Sequence, residues 1–411
     1  DNSLDACEEA GILPELRIEI REIGEERFRI AVEDNGPGIV RAQVPKVFGK
    51  LLYGSKFHRL KQQRGQQGIG VSAAGMYGQL TTGKPVTIVS RTSPQSIPHL
   101  FEVTVDTRKN QPLVLKEEKT EWEKKHGTRV EIELEAIYKK GRRSVDDYVE
   151  QTALSNPHCT IYYTAPGSET ITYARAVHEL PEEAKEIKPH PYGVELGRLM
   201  RMFQDSPERH VSTALKNDFS RMTPKVVDEI LKIAGVSPKA RPRDLDTPSV
   251  EKIHKAFSKV KIMAPPTACL SPVSEGALLK GLRLRFKAEY YDAVTRPPAV
   301  YRGNPFQVEV ALAHGGDLPS DELIEVFRFA NRVPLQYQAS ACAVTKAVMS
   351  VDWRSYGMQM SKGALPSGPM VLMLHIASVW VPFTSESKEA IAHYPEIIKE
   401  LRLALMEVGR R

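Results

Sequence analysis

Apolar and polar residues alternate twice near the start of the chain. Leu16, Ile18 and Ile20 are separated by Arg17 and Glu19; Phe28, Ile30 and Val32 are separated by Arg29 and Ala31, and charged residues surround Gly24 between the two runs. A period of two with a single apolar face predicts a β-hairpin packed on helices. Strand-like runs follow at 86–90, 101–105 and 129–134, with helical spacing at 42–50 and 69–77, so residues 1–180 read as a mixed α+β domain. Residues 180–191, rich in Pro, Glu and Lys, read as a linker. Beyond it the alternation stops. Segments 192–203, 213–219, 224–234 and 249–257 carry helical spacing broken by Pro- and Gly-containing turns, which predicts a small all-helical insert over 181–263. Pro265 and Pro266 mark a second boundary. Strand-like runs at 306–312, 327–330 and 370–381 and a helix at 341–351 predict a second α+β domain over 264–387. A last helix is expected from Lys388 onward, with Ile397, Ile398, Leu401, Leu405 and Val408 at core spacing; residues 388–411 are expected to begin a longer stalk.

Composition narrows the class. A chain of 411 residues is too long for one core. With 41% apolar and 26% charged residues it is ordinary for a globular protein, and no apolar run reaches the length of a membrane span, so no membrane partner is expected. Residues 1–8 read as the interior of a helix rather than a signal peptide or a start, as expected of a trimmed product. Cys7, Cys159, Cys269 and Cys342 are scattered singly, which disfavours a metal finger or a disulfide framework and fits a reducing compartment. The net charge of +6 permits a polyanionic partner without requiring one.

Two glycine clusters hold the candidate chemistry. Asp34, Gly36 and Gly38 follow directly on a predicted strand, and Gly65, Gly68 and Gly70 open a predicted helix. Each by itself reads as a tight turn. The second cluster lacks the dinucleotide fingerprint spacing, and no GKS or GKT segment is present, so neither a Rossmann site nor a P-loop is indicated. Together they make sense physically. A strand-end carboxylate can accept the exocyclic amine proton of adenine, where guanine would present a carbonyl. A glycine-rich loop entering a helix exposes backbone N–H groups to phosphate oxygens, and can close as a lid.

In order and spacing, Asn2, the run from Asp34, the run from Gly65 and the pair Gly127 and Thr128 resemble the gyrase, heat-shock chaperone, histidine-kinase and MutL ATPase superfamily. The helical insert, with Phe219–Pro224 resembling a helix-two-turns-helix module, and the run from Phe329 to Leu335 extend the resemblance to topoisomerase VI B subunits over essentially the whole chain. The fold this implies is a Bergerat-type ATP-binding α/β sandwich, a helix-two-turns-helix insert and a ribosomal-protein-like α+β transducer.

The resemblance also implies roles. Asn2 would coordinate Mg²⁺ bridging the phosphates of ATP, and Asp34, with Gly36 and Gly38, would select adenine, supported by Thr128. Gly65, Gln66, Gln67, Gly68, Ile69, Gly70, Val71 and Ser72 would form the phosphate lid, with Ser55 and Lys56 assisting. Lys388 would be the switch lysine reaching the γ-phosphate, with Lys362 a weaker candidate. A lysine in a first helical turn is poorly placed for stability, which favours a functional reading of Lys388. The family's general-base Glu would fall three residues before Asp1, so the chain as given is expected to bind ATP better than it hydrolyses it. The basic run at 139–143 is either a solvated loop or, through Lys140, Arg142 and Arg143, a sequence-independent phosphate contact to DNA. Trp353 to Tyr356 could contribute similarly or pack in the core. The function implied is the ATPase subunit of an archaeal, cytoplasmic, nucleoid-associated type II DNA topoisomerase. It would form a homodimer through its ATP-binding domains, and the topoisomerase VI A subunit would cleave the DNA. A MutL-like repair ATPase and a non-catalytic nucleotide-gated DNA clamp are the competing readings.

Overall fold

The computed structural model describes residues 1–56, 59–385 and 387–411. Helix α1 (Asn2–Glu9) precedes the hairpin of β1 (Glu15–Gly24) and β2 (Arg27–Asp34). Next come α2 (Val44–Gly49), α3 (Gly70–Thr82), β3 (Val86–Arg91), β4 (His99–Asp106), β5 (Gln111–Lys119) and β6 (Gly127–Glu135). Helix α4 (Val145–Ser155) and strands β7 (Thr160–Thr164) and β8 (Ile171–Tyr173) complete an eight-stranded sheet of order β5-β4-β3-β6-β2-β1-β7-β8. β1 and β7 run parallel, and the other neighbours antiparallel.

The two-residue period explains the layering. One face of the sheet is apolar: Leu4 of α1 and Val149 of α4 pack with Leu16, Ile20, Phe28 and Ile161, while Val44 and Phe48 of α2 pack with Val86, Ile88, Phe101 and Val103. The opposite face is a lattice of paired charges, with Arg29 to Glu133 at 2.7 Å and Arg129 to Glu131 at 2.9 Å. All helices therefore sit on one side. Helix α3 lies so close to the sheet that a Cβ at Gly78 would stand 2.6 Å from the Glu133 carbonyl oxygen.

The segment after β8 has little regular structure as far as Pro191, but it is not a free linker. Lys185 N–H donates to the Ala268 carbonyl at 2.8 Å, Ile187 N–H to Leu60 at 3.1 Å, and the Glu182 carbonyl accepts from the Ser271 hydroxyl at 2.5 Å. Its prolines and charges block a helix or strand without preventing it from packing. The insert then folds as α5 (Leu196–Asp205), α6 (Val211–Asp218), α7 (Pro224–Ala234) and α8 (Thr247–Phe257) around its own core of Leu199, Phe203, Leu215, Ile230 and Phe257. Thr223 and Asp246 cap α7 and α8 by accepting from Val226 and Ser249 N–H, each followed by a proline in the first turn.

The third region begins with α9 (Glu275–Arg285), which the sequence reading did not anticipate. Strands β9 (Tyr290–Thr295), β10 (Ala299–Tyr301), β11 (Asn304–His314), β12 (Glu325–Ala330), β13 (Val333–Pro334) and β14 (Met370–Ser378) form its sheet, with β14 between β11 and β12. Helices α10 (Ala343–Ser350) and α11 (Pro395–Arg410) cover the face of Val308, Val310, Leu372 and Leu374, while α9 and Leu154 cover that of Ala311, Ala313, Val371 and Met373. Burial on both faces leaves every residue of β14 buried, apolar except for His375 and Ser378, instead of alternating with exposed ones.

One local expectation is corrected, and one open alternative is decided. The last helix starts at Pro395, not Lys388: Lys388 has φ of 55°, and Phe383 pairs with Ile391 in an isolated β-bridge. Proline at the first helical turn sets that start. From there Ile397, Leu401, Ala404, Leu405 and Val408 are buried in the third region's core. Trp353 is a core residue, 1% exposed, with its indole N–H on the Val348 carbonyl at 2.8 Å.

Candidate nucleotide site

Three adjacent strands put polar residues in register at the end of the otherwise apolar face. Asp34 of β2 lies opposite Thr128 of β6, which lies opposite Ser90 of β3. Asp34 is 7% exposed. One of its oxygens accepts from Gly36 N–H at 2.9 Å and Thr128 N–H at 3.1 Å, and the Ser3 hydroxyl of α1 also bonds to the carboxylate. Burial pushes the Asp34 carboxyl above the usual range, against the pull of those three bonds. The Ser90 hydroxyl lies 3.0 Å from Thr128 Oγ1, accepts from Ile39 N–H at 2.8 Å and donates to the Gly127 carbonyl at 3.2 Å. His126 Nδ1 reaches the Gly36 carbonyl at 2.8 Å.

The glycines permit this closeness. Gly38 has φ of 70°, and a Cβ there would stand 2.1 Å from the Arg91 carbonyl oxygen; a Cβ on Gly127 would stand 2.1 Å from that of Asp34. Any side chain at either position would push the turn after β2 off the sheet.

The second cluster sits across α1 from the first. The Gly65 Cα faces Asn2, whose side-chain oxygen would be 3.3 Å from a Cβ at that position, and Gly65 N–H donates to Asp5 at 3.3 Å. Residues 52–56 back the loop: Leu52 N–H donates to Gly68 O at 3.0 Å and Lys56 N–H to Gln66 O at 2.7 Å, while a Cβ on Gly68 would stand 2.9 Å from Ser55 N. Lys56 Nζ pairs with Glu9 at 2.9 Å. Ile69 is the N-cap of the 13-residue α3 without a side-chain cap, so Gly70, Val71 and Ser72 form a helix N-terminus whose first N–H groups have no acceptor within the helix itself. Ser72 turns its hydroxyl back onto the Ile69 carbonyl at 3.0 Å. Gln66 and Gln67 lie between, and Gln66 Nε2 donates to the Val379 carbonyl at the end of β14, 2.8 Å away.

Asn2 and Ser3, adjacent on α1, thus touch the two clusters and make them one site. Among the described residues no group of three or more His, Cys, Asp or Glu could hold a metal ion. Asn2, exposed at the start of α1, carries a hard amide oxygen of the kind that would suit Mg²⁺.

Other site expectations fall elsewhere. Lys388 is half-buried in the segment that follows Val379. Lys362 is exposed in a turn before β14, at the opposite end of that nine-residue strand from Val379, roughly 27 Å of chain by strand rise. The structure does not bring Lys362 to the glycine loop. Lys139, Lys140, Arg142 and Arg143 are all exposed between β6 and α4. The base of that loop is tied to the third region through Tyr337 Oη donating to the Arg143 carbonyl at 3.1 Å.

Sequence reasoning missed Ser3, Ser90, His126 and Arg64. Ser90 was findable, as the polar third member of the in-facing series Val86, Ile88, Ser90. Arg64 was not, because nothing local marks a buried arginine: its guanidinium pairs with Asp5 and Glu8, each at 2.7 Å, and donates to Asn156 at 2.5 Å.

A sheet with helices on one face, an acidic strand end and a glycine loop opening a helix define a nucleotide-binding ATPase fold of the class described as "Histidine kinase-, DNA gyrase B-, and HSP90-like ATPase", which matches residues 1–137. Residues 265–411 match the family described as "Topoisomerase VI B subunit, transducer". The chain is 49% identical to the type 2 DNA topoisomerase 6 B subunit of Methanococcoides burtonii, over 100% of this chain and 66% of that protein. It is 47% identical to that of Archaeoglobus fulgidus (100% and 68%) and 39% identical to that of Thermococcus gammatolerans (100% and 80%). The chain belongs to the family of type 2 DNA topoisomerase 6 B subunits. It spans 66% of the length of several of the curated relatives it matches.

Proposed function

We propose that the chain is the ATP-binding and hydrolysing portion of a type II DNA topoisomerase B subunit, in which nucleotide-driven dimerisation gates passage of a DNA duplex while a separate A subunit cleaves both strands. The observation that supports it most is the Asp34–Thr128–Ser90 row, set across α1 from the glycine loop. Asp34 accepts the adenine amine proton on the carboxylate oxygen not held by Gly36 and Thr128 N–H. Gly36 and Thr128 N–H hold that carboxylate in place, and the Ser90 hydroxyl braces Thr128. The N–H groups from Gly65 to Ser72 meet the phosphates, aided by the α3 dipole. Asn2 lends its oxygen to Mg²⁺, which when bound supplies charge neutralisation of the phosphates. Lys388 senses the γ-phosphate, and Lys140, Arg142 and Arg143 contact DNA phosphates.

No helix among the described residues is long and apolar enough to cross a membrane. The proposed protein would work in an archaeal cytoplasm, on DNA, as a homodimer joined by two cleaving subunits. The test is relaxation of supercoiled DNA by the full-length protein reconstituted with a candidate cleaving subunit. ATP-dependent relaxation is expected; reconstituted protein that binds ATP but never changes DNA topology overturns the reading.

A further inference from the structure

Residues 62–66, which lead into and open the glycine loop, bond to two regions of the molecule in turn. Gln62 faces the third region: its N–H donates to the Cys269 carbonyl at 2.9 Å and its side-chain oxygen accepts from Ser271 N–H at 2.6 Å. The Gln63 carbonyl accepts from Asn331 Nδ2 at 3.2 Å. Arg64 faces the first domain through Asp5, Glu8 and Asn156, and Gly65 does so through Asp5. Gln66 returns to the third region at Val379. A loop that served the nucleotide site alone would need none of these four hydrogen bonds to the third region.

The far side of these contacts is stiff. Asn331 and Arg332 form the two-residue turn between β12 and β13, both left-handed with φ of 47° and 66°. Asn331 also donates to the Ser378 carbonyl and accepts from Ser378 N–H, each at 2.9 Å, which clamps the turn to the end of β14. Arg332 N–H donates to His375 Nε2 at 3.0 Å, and His375 Nδ1 donates to the fully buried Glu309 at 2.7 Å. The Arg332 guanidinium holds the Ser271 and Pro272 carbonyls, and its own carbonyl accepts from Ser155 of α4 at 2.7 Å. Two further features lie at this junction. The Gln63 amide is buried, and neither its nitrogen nor its oxygen has a hydrogen-bond partner among the described residues. A cavity of about 420 Å³, lined by Asp5, Glu8, Lys61, Gln63, Glu182 and Arg332 among others, adjoins it.

We propose that residues 62–66 are a two-sided clasp, with Asn331 and Gln62 as positioning residues, which carries a displacement of the glycine loop into the β12–β13 turn and so into the third region. The inference rests on the nucleotide reading of that loop. Asn331 neither touches the adenine row nor follows Lys388, so its effect runs through the stem of the loop.

The test uses full-length protein with paired spin labels on the insert-distal surface of the first domain and on α11, with interlabel distances measured in the apo, ADP and non-hydrolysable ATP states. Asn331→Gly keeps the left-handed turn and removes the amide; Gln62→Met breaks the Ser271 contact and leaves the turn untouched. For both, the ATP-analogue-induced distance change is expected to vanish or fall at least threefold, while analogue affinity stays equal to wild type or becomes up to about tenfold tighter, since binding no longer has to drive the rearrangement. Damage to the fold would weaken binding instead. If Asn331→Gly does not fold, Gln62→Met decides. Variants that rearrange as wild type does, or that bind the analogue more weakly, overturn the clasp. A wild type that binds no adenine nucleotide overturns the reading of the site itself, and a wild type that binds without rearranging overturns the clasp alone.

Discussion

Asp34 is held in a setting that is costly for a carboxylate. Burial raises its pKa despite three hydrogen bonds, so at neutral pH its ionised form subtracts from stability. Asparagine is nearly isosteric, and its oxygen could still accept from Gly36 and Thr128. Asp34→Asn is therefore expected to keep or raise the melting temperature while abolishing adenine-nucleotide binding, because its amide would set donor against donor. Calorimetric unfolding and ATP titration of the one variant check both halves; tight binding by folded Asp34→Asn would remove the adenine-selecting role. The buried histidines make a second residue-scale prediction. His158 and His190 have pKa values lowered, first by burial, so they fold neutral and the unfolded chain takes up their protons first. Their contribution is complete above about pH 6.5 and is lost as pH falls below it. Glu8 is held the other way: burial opposes its ionisation, but the Arg64 guanidinium outweighs burial and drops the carboxyl below the usual range, so its contribution persists until pH falls below about 4.5. Melting temperature should thus decline in two stages on acidification, and His158→Gln, which keeps a donor for Glu8, should flatten the first. The cysteines contribute nothing here: burial pushes Cys7, Cys159 and Cys269 up to about 12, and all four thiols are free and buried.

Among the elements, the exposed loop between β6 and α4 yields the sharpest test. Replacing Lys140, Arg142 and Arg143 together by alanine should lower DNA affinity and flatten its salt dependence by up to about three counterion-release terms, with ATP affinity unchanged. Titrations of a DNA duplex at several salt concentrations read the slope directly; an unaltered slope would leave the loop merely solvated. Tyr337 and Gln336 brace the loop from the third region, so its position follows that of the transducer. Charge without such bracing would bind DNA as well in every nucleotide state.

Across the whole molecule, one strand links the two halves of the proposed switch. Gln66 of the loop touches Val379 at the end of β14, and the segment bearing Lys388 begins there. A γ-phosphate held between loop and lysine supplies a charge-assisted contact that ADP lacks, worth roughly 1.5–3 kcal/mol, or about a ten- to hundredfold shift between two arrangements. ATP analogues are expected to compact and dimerise the full-length protein. Lys388→Ala should weaken that response by about tenfold or more without altering the ADP-bound state. Scattering and sedimentation in apo, ADP and analogue states decide it, and an alanine variant that responds as wild type does excludes Lys388 as sensor.

The alternation of apolar residues by itself determined the hairpin of β1 and β2, the apolar face shared by β3 and β4, and the helical insert, because burial on one side of an element writes its period into the chain. The two glycine clusters were equally legible, since only glycine tolerates a backbone within about 3 Å of another. The strand β5, whose apolar Leu113, Val114 and Leu115 are exposed at the sheet edge, and the helix α9, in a segment passed over as boundary, left no such record. Tertiary structure alone decided the rest. The helical spacing beyond Lys388 suggested a start there, yet Phe383 pairs with Ile391 in a β-bridge before Pro395 begins the helix. Residues 180–191 looked like a free linker and are bonded to Leu60 and Ala268. Arg64, Asn331, Arg332, His375 and Glu309 are scattered along the sequence and meet in one buried network. Long-range hydrogen bonds impose no period on the residues between their partners, so no local pattern could have announced them.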